Sequence, residues 1–69
     1  MVPISFILNG EPRAIPTAST VRDLIRELAL DEQAVAIERN RQILTRPKWP
    51  STPICAGDRI EIVHFVGGG

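Results

Sequence analysis

Residues 18–28 read "ASTVRDLIREL", and this stretch decides the fold because it spells out an amphipathic helix. Val21, Leu24, Ile25 and Leu28 fall at i, i+3, i+4 and i+7, which sets four apolar side chains on one stripe. Arg22, Asp23, Arg26 and Glu27 face the other way. Thr20 is a good N-cap, and Asp23 stands at the reciprocal position of a capping box. The pattern predicts a helix of about ten residues. A stripe of this kind needs an apolar surface to cover it, so the helix is expected to lie across one face of a sheet.

The flanking segments supply that sheet. On the N-terminal side, "VPISFIL" (2–8) places Ile4, Phe6 and Leu8 on one face at period two. Asn9 and Gly10 follow, the dipeptide suited to a type I′ hairpin turn because both positions take positive φ. The return strand is "EPRAI" (11–15), and Pro12 marks it as an edge strand because proline cannot donate to a ladder. On the C-terminal side, "AVAIE" (34–38) predicts a strand with Val35 and Ile37 inward. "RNRQIL" turns the chain, with Asn40 suited to a left-handed conformation, and leads into a short strand at Ile43 and Leu44. "TRPKWPSTP" (45–53) reads as irregular loop, "CAGD" (55–58) as a turn and "RIEIVHFV" (59–66) as the last strand. Helix and strand do not alternate strictly, so the class is α+β rather than doubly wound. The economical arrangement is a mixed sheet of four to five strands wrapped on one main helix, with the first and last strands central.

Composition narrows the function. Sixty-nine residues make one small domain with a marginal core, which favours a carrier, binding module or subunit over an enzyme with an enclosed site. Eight basic and eight acidic residues cancel, so there is no global positive field for nucleic acid or an anionic membrane. The local cluster Arg39, Arg41, Arg46 and Lys48 reads as a solvated turn or a patch facing an acidic partner. One cysteine, Cys55, excludes an intramolecular disulfide and a Cys-built metal site. The absence of staples, of a secretory leader and of a long apolar run predicts a soluble, cytoplasmic protein.

The chain closes on "HFVGGG", a run of glycines directly after a predicted strand. Glycine loses more conformational freedom on ordering than any other residue, so a glycine run suits a tail that works outside the domain. The expected division is a domain over residues 1–66 and a flexible tail at Gly67, Gly68 and Gly69. The order of elements, with the strand closing on "NG", the "ASTVRDLIREL" helix, "AIERNRQIL" followed by "PKW", "AGDRIEIV" and the terminal Gly68–Gly69, resembles the ThiS family of bacterial sulfur carriers of thiamine biosynthesis. That family has the β-grasp, or ubiquitin-like, fold. The third glycine, Gly67, departs from the family's terminal pair and leaves that pair intact.

The resemblance implies a function. A partner adenylating enzyme activates the carboxylate of Gly69 with ATP, a sulfur-donor protein supplies sulfur to form a thiocarboxylate, and a thiazole synthase consumes it. This chain then binds no cofactor of its own and supplies no catalytic side chain. Related readings are a sulfur carrier for molybdopterin or tRNA thiolation. A reading of a different class is a β-grasp module that binds RNA or protein, for which Gly68 and Gly69 are dispensable.

Four further expectations follow from the residues. Cys55 has no activating neighbour in sequence and reads as a buried or half-buried small hydrophobe rather than a sulfur relay. His64 reads as a strand-end residue rather than a general base. Trp49 reads as a lid over the core. Strand alternation sets Arg59, Glu61, Val63 and Phe65 on one face and Ile60, Ile62 and His64 on the other. Glu61 is costly to bury unpaired, so its face is the outer one. Val63 and Phe65 are therefore expected to be exposed just before Gly67, as a partner-docking patch.

Overall fold

The computed structural model describes residues 3–65. It contains strands β1 (Ile4–Leu8) and β2 (Glu11–Ile15), helix α1 (Val21–Glu27), and strands β3 (Val35–Arg39), β4 (Gln42–Leu44) and β5 (Arg59–His64). The strands form a five-stranded sheet in the order β2-β1-β5-β3-β4. β1 and β5 run parallel, and the other neighbours are antiparallel. This is the mixed α+β sheet on one main helix expected from the sequence, and it is the β-grasp arrangement. The last strand sits in the middle, and β2, with Pro12, lies at an edge where the missing N–H costs no ladder bond.

Local signals account for most of these elements. The β1–β2 hairpin turns in two residues, with Asn9 at φ 49° and Gly10 at φ 84°, the signs that a type I′ turn requires. A second two-residue turn joins β3 to β4, with Asn40 at φ 52° and Arg41 at φ 70°. Arginine in that left-handed region costs about 1–2 kcal/mol relative to the right-handed one. At the start of α1 the Thr20 hydroxyl accepts from Asp23 N at 3.2 Å, and the Asp23 carboxylate accepts from Thr20 N at 2.8 Å. The capping box is therefore complete.

The helix is shorter than its apolar stripe suggests. It ends at Glu27, with Leu28 as C-cap and Ala29 at φ 56°. Ala29 N donates to Arg26 O and Leu30 N to Ile25 O, the paired bonds of a Schellman motif. The cap stops the helix after seven residues, and Leu28 and Leu30 pack against the core from outside it.

Val21, Leu24 and Ile25 are fully buried against the sheet, and each contributes about 1.5–3 kcal/mol from burial. The opposing surface comes from Phe6, Ile15, Val35, Ile37, Ile60 and Ile62. Trp49 and Ile54 close the core, so Trp49 is the expected lid. Its indole Nε1 donates to Leu44 O at 2.9 Å, which satisfies the one polar atom the burial would otherwise strand.

Several expectations are corrected. The proline-rich stretch is not irregular throughout: Arg46–Ser51 forms a 3₁₀ helix. Pro47 sits in its first turn, where the absent N–H would be unpaired anyway. A second 3₁₀ turn, Glu32–Ala34, claims Ala34, so β3 begins at Val35. β5 stops at His64; Val66, expected to extend it, lies outside the described residues, as do Gly67, Gly68, Gly69 and their division into a flexible tail. Cys55 is exposed rather than buried, because Ile54 takes the inward position beside it. His64 shares the parity of Ile60 and Ile62 yet is exposed, at the end of β5 where the core has run out.

Candidate functional site

The free surface of interest is the outer face of the central strand. The burial pattern of β5 alternates, with Ile60 and Ile62 buried beneath α1 and Arg59, Glu61 and Val63 exposed. Val63 is 54% exposed and Phe65 56% exposed. Phe65 lies one residue past β5 but is still tied to the sheet, its N–H donating to Ala34 O at 2.9 Å. The two side chains therefore stand on fixed backbone immediately before the glycine run.

The sequence reading missed a third member of this surface. Ile43 is 77% exposed on β4. It pairs with Glu38, which in turn pairs with Glu61, so it belongs to the face that carries Glu61 and Val63. The signal was present in the alternation: Leu44 packs on the core, which turns Ile43 outward. Ile43 and Phe65 both line a shallow groove of about 280 Å³ that reaches Trp49 along the β3–β4 edge. Large exposed apolar patches on monomeric domains mark interaction surfaces.

The basic cluster does not hold together as one site. Arg39 Nε donates to Asp58 Oδ2 at 2.9 Å, and Arg46 lies over the Trp49 ring, 5.5 Å from its centroid. Arg46 Nε also donates to Glu32 O at 2.9 Å. Both guanidiniums are committed to the fold, which separates them from Arg41 and Lys48.

Asp58 is the one buried charged residue among those described, and its partners explain why it is tolerated. Its carboxylate accepts from Cys55 N at 2.8 Å, from Asn40 Nδ2 at 3.1 Å and from Arg39 Nε. Burial pushes this carboxyl up. The Cys55 N–H, the Asn40 amide and the Arg39 guanidinium outweigh burial and hold it below its ordinary range. The network ties the β3–β4 turn to the loop that launches β5. Cys55 Sγ sits 3.8 Å from an Arg39 nitrogen at the rim of this network. Among the described residues no cluster of three or more His, Cys, Asp or Glu could hold a metal ion, and no helix is long and apolar enough to cross a membrane.

A five-stranded mixed sheet on one helix, with an exposed apolar end to its central strand, defines a ubiquitin-like β-grasp domain. Comparison with known proteins narrows this class. The family model of the ThiS family matches residues 6–69. The chain is 42% identical over 50 residues to the sulfur carrier protein ThiS of Bacillus subtilis, covering 72% of this chain and 76% of that one. A crystal structure of the thiamine biosynthesis protein ThiS from Geobacter metallireducens superposes with a TM-score of 0.79 at 29% identity, covering 96% of this chain and all of the other. The chain is also 38% identical over 66 residues to a thiazole synthase of Paramagnetospirillum magneticum, covering 96% of this chain but only 20% of that sequence. It thus spans about a fifth of the thiazole synthases it matches. The chain belongs to the ThiS family, the sulfur-carrier family of thiamine biosynthesis.

Proposed function

We propose that this chain carries sulfur as a thiocarboxylate on Gly69 and delivers it for assembly of the thiamine thiazole ring. A free α-carboxylate has a pKa of about 3.5 and is ionised at neutral pH, so its carbonyl carbon resists nucleophiles. A partner adenylating enzyme removes that resistance. The Gly69 carboxylate attacks the α-phosphorus of ATP, pyrophosphate leaves, and an acyl adenylate forms. A persulfide on a donor protein then attacks the acyl carbon and AMP departs, giving an acyl disulfide. A thiol attacks the donor-side sulfur, forms a new disulfide with it and breaks the S–S bond, leaving sulfur where one carboxylate oxygen stood. Thiazole synthase takes the sulfur and regenerates the carboxylate. The reacting group is main chain, so no side chain of this domain enters the chemistry, and Gly67 and Gly68 keep the approach thin enough for a narrow pocket.

Val63, Phe65 and Ile43 dock the domain on the adenylating enzyme and on thiazole synthase so that the glycines enter the pocket. The observation that carries the reading is the exposed apolar end of β5, fixed on sheet backbone two residues before Gly67. Kinship of the chain to a stretch of thiazole synthases supports that enzyme as a partner. Removal of Gly68 and Gly69 tests the proposal. The truncated chain is expected to unfold within about 0.5 kcal/mol of the parent and to accept no sulfur. A large loss of stability, or sulfur loading at the parental rate, contradicts it.

A further inference from the structure

Asn9 does more than turn the hairpin. The β1–β5 ladder ends at Leu8↔Ile60, because the chain then reverses at Asn9 and Gly10. β5 runs on to His64. Its odd-numbered residues point their backbone groups at β3, as the Asn40 N to Arg59 O and Phe65 N to Ala34 O bonds show. The even-numbered residues therefore point to the β1 side, where β1 has run out. Asn9 fills that gap. Its backbone N–H donates to Ile60 O at 2.9 Å. Its side-chain Oδ1 accepts from Ile62 N at 2.8 Å, and its Nδ2 donates to Ile62 O at 3.4 Å. A side-chain amide has the donor and acceptor of a peptide group, so Asn9 acts as one more residue of β1. Ile62 is nearly buried, which makes an unpaired N–H there costly.

We infer that Asn9 is a positioning residue for the carrier reaction: its side chain clamps β5 at Ile62 and thereby fixes the direction in which Val63 and Phe65 are presented to the partner enzyme. Without it, β5 beyond Ile60 is held by β3 alone. The inference rests on the carrier reading for its functional half and on geometry alone for the clamp. The choice of asparagine is explained by two demands met at once, a positive φ and an amide.

Two variants separate the clamp from the turn. Asn9→Gly keeps the positive φ and deletes the amide. Asn9→Asp keeps the turn and the acceptor for Ile62 N–H but loses the donor. Amide hydrogen exchange of the free protein is the first readout. In Asn9→Gly the Ile62 amide is expected to exchange about tenfold faster, while the helix amide of Leu24 is unchanged. The second readout is ATP–pyrophosphate exchange by the adenylating enzyme with the folded carrier as substrate. Asn9→Gly is expected to lower kcat/KM about tenfold through misplacement of Val63 and Phe65 on the enzyme, with Asn9→Asp recovering part of the loss. Equal changes at Ile62 and Leu24 overturn the clamp, and an unchanged kcat/KM overturns its role in positioning. If the parental chain supports no exchange reaction at all, the carrier reading falls and the positioning role with it, while Ile62 exchange still decides the clamp.

Discussion

Replacing Phe65 with serine separates a docking side chain from a core side chain. Phe65 is 56% exposed, and a phenylalanine side chain buries about 150–250 Å² when fully covered. A partner that covers the exposed part therefore removes about 110 Å² of apolar surface from water, a ceiling near 3 kcal/mol at about 25 cal/mol per Å². Imperfect complementarity reduces this to about 2 kcal/mol, the scale of an interface hot spot. The variant is expected to bind the adenylating enzyme about thirtyfold more weakly. The isolated domain loses only the contacts Phe65 makes in the β3–β4 edge groove, about 1 kcal/mol. Titration calorimetry reads the affinity, and thermal unfolding by circular dichroism reads the stability. An unfolded variant, or a folded one that binds within twofold of the parent, refutes the reasoning.

Two other perturbations probe the network at the opposite end of β5, where the strand begins. Asp58→Asn replaces an acceptor of three bonds by an amide that turns its own N–H groups toward donors, and is expected to cost about 2–3 kcal/mol, or roughly 10–20 °C in Tm. The folded carboxyl sits below its ordinary value of 3.8, so its stabilisation is complete above that pH and is lost as pH falls through the folded value. Thermal scans from pH 7 to pH 2 are thus expected to show the gap between parent and variant closing at the acid end; a gap that persists there removes the charge from the explanation. Cys55→Ser exposes the same small polar surface and is expected to leave both Tm and sulfur loading essentially unchanged, whereas a folded but inactive variant would make Cys55 part of the sulfur route.

The sequence carried those features whose causes are local. The capping box, the helical stripe and the Asn9–Gly10 turn each depend on residues within one turn of chain, and each is found. Most of the features that escaped depend on tertiary packing and on partners that no local pattern names. Prolines at 47 and 50 suggested broken structure, but Trp49 needed an acceptor at Leu44 and a 3₁₀ turn provides the reach. Cys55 and Ile54 are both apolar enough to bury, and only the packing decides which one enters the core. The basic cluster dissolved because Arg39 meets Asp58, nineteen positions away. Asn9 was legible as a turn residue, but its side chain reaches a strand separated from it by 53 positions. Exposure of Val63 and Phe65 followed from the cost of burying Glu61, whereas Ile43 required the facing of a three-residue strand.

The central claim is that sulfur resides on the main-chain terminus, and intact-mass spectrometry with peptide mapping tests it most directly. The chain is incubated with the adenylating enzyme, ATP and a sulfur source, then measured whole and after proteolysis. The account predicts a mass gain equal to the exchange of one oxygen for one sulfur, confined to the peptide that ends at Gly69 and absent when ATP is withheld. Sulfur found instead on Cys55 as a persulfide, or loading that proceeds without ATP, contradicts it.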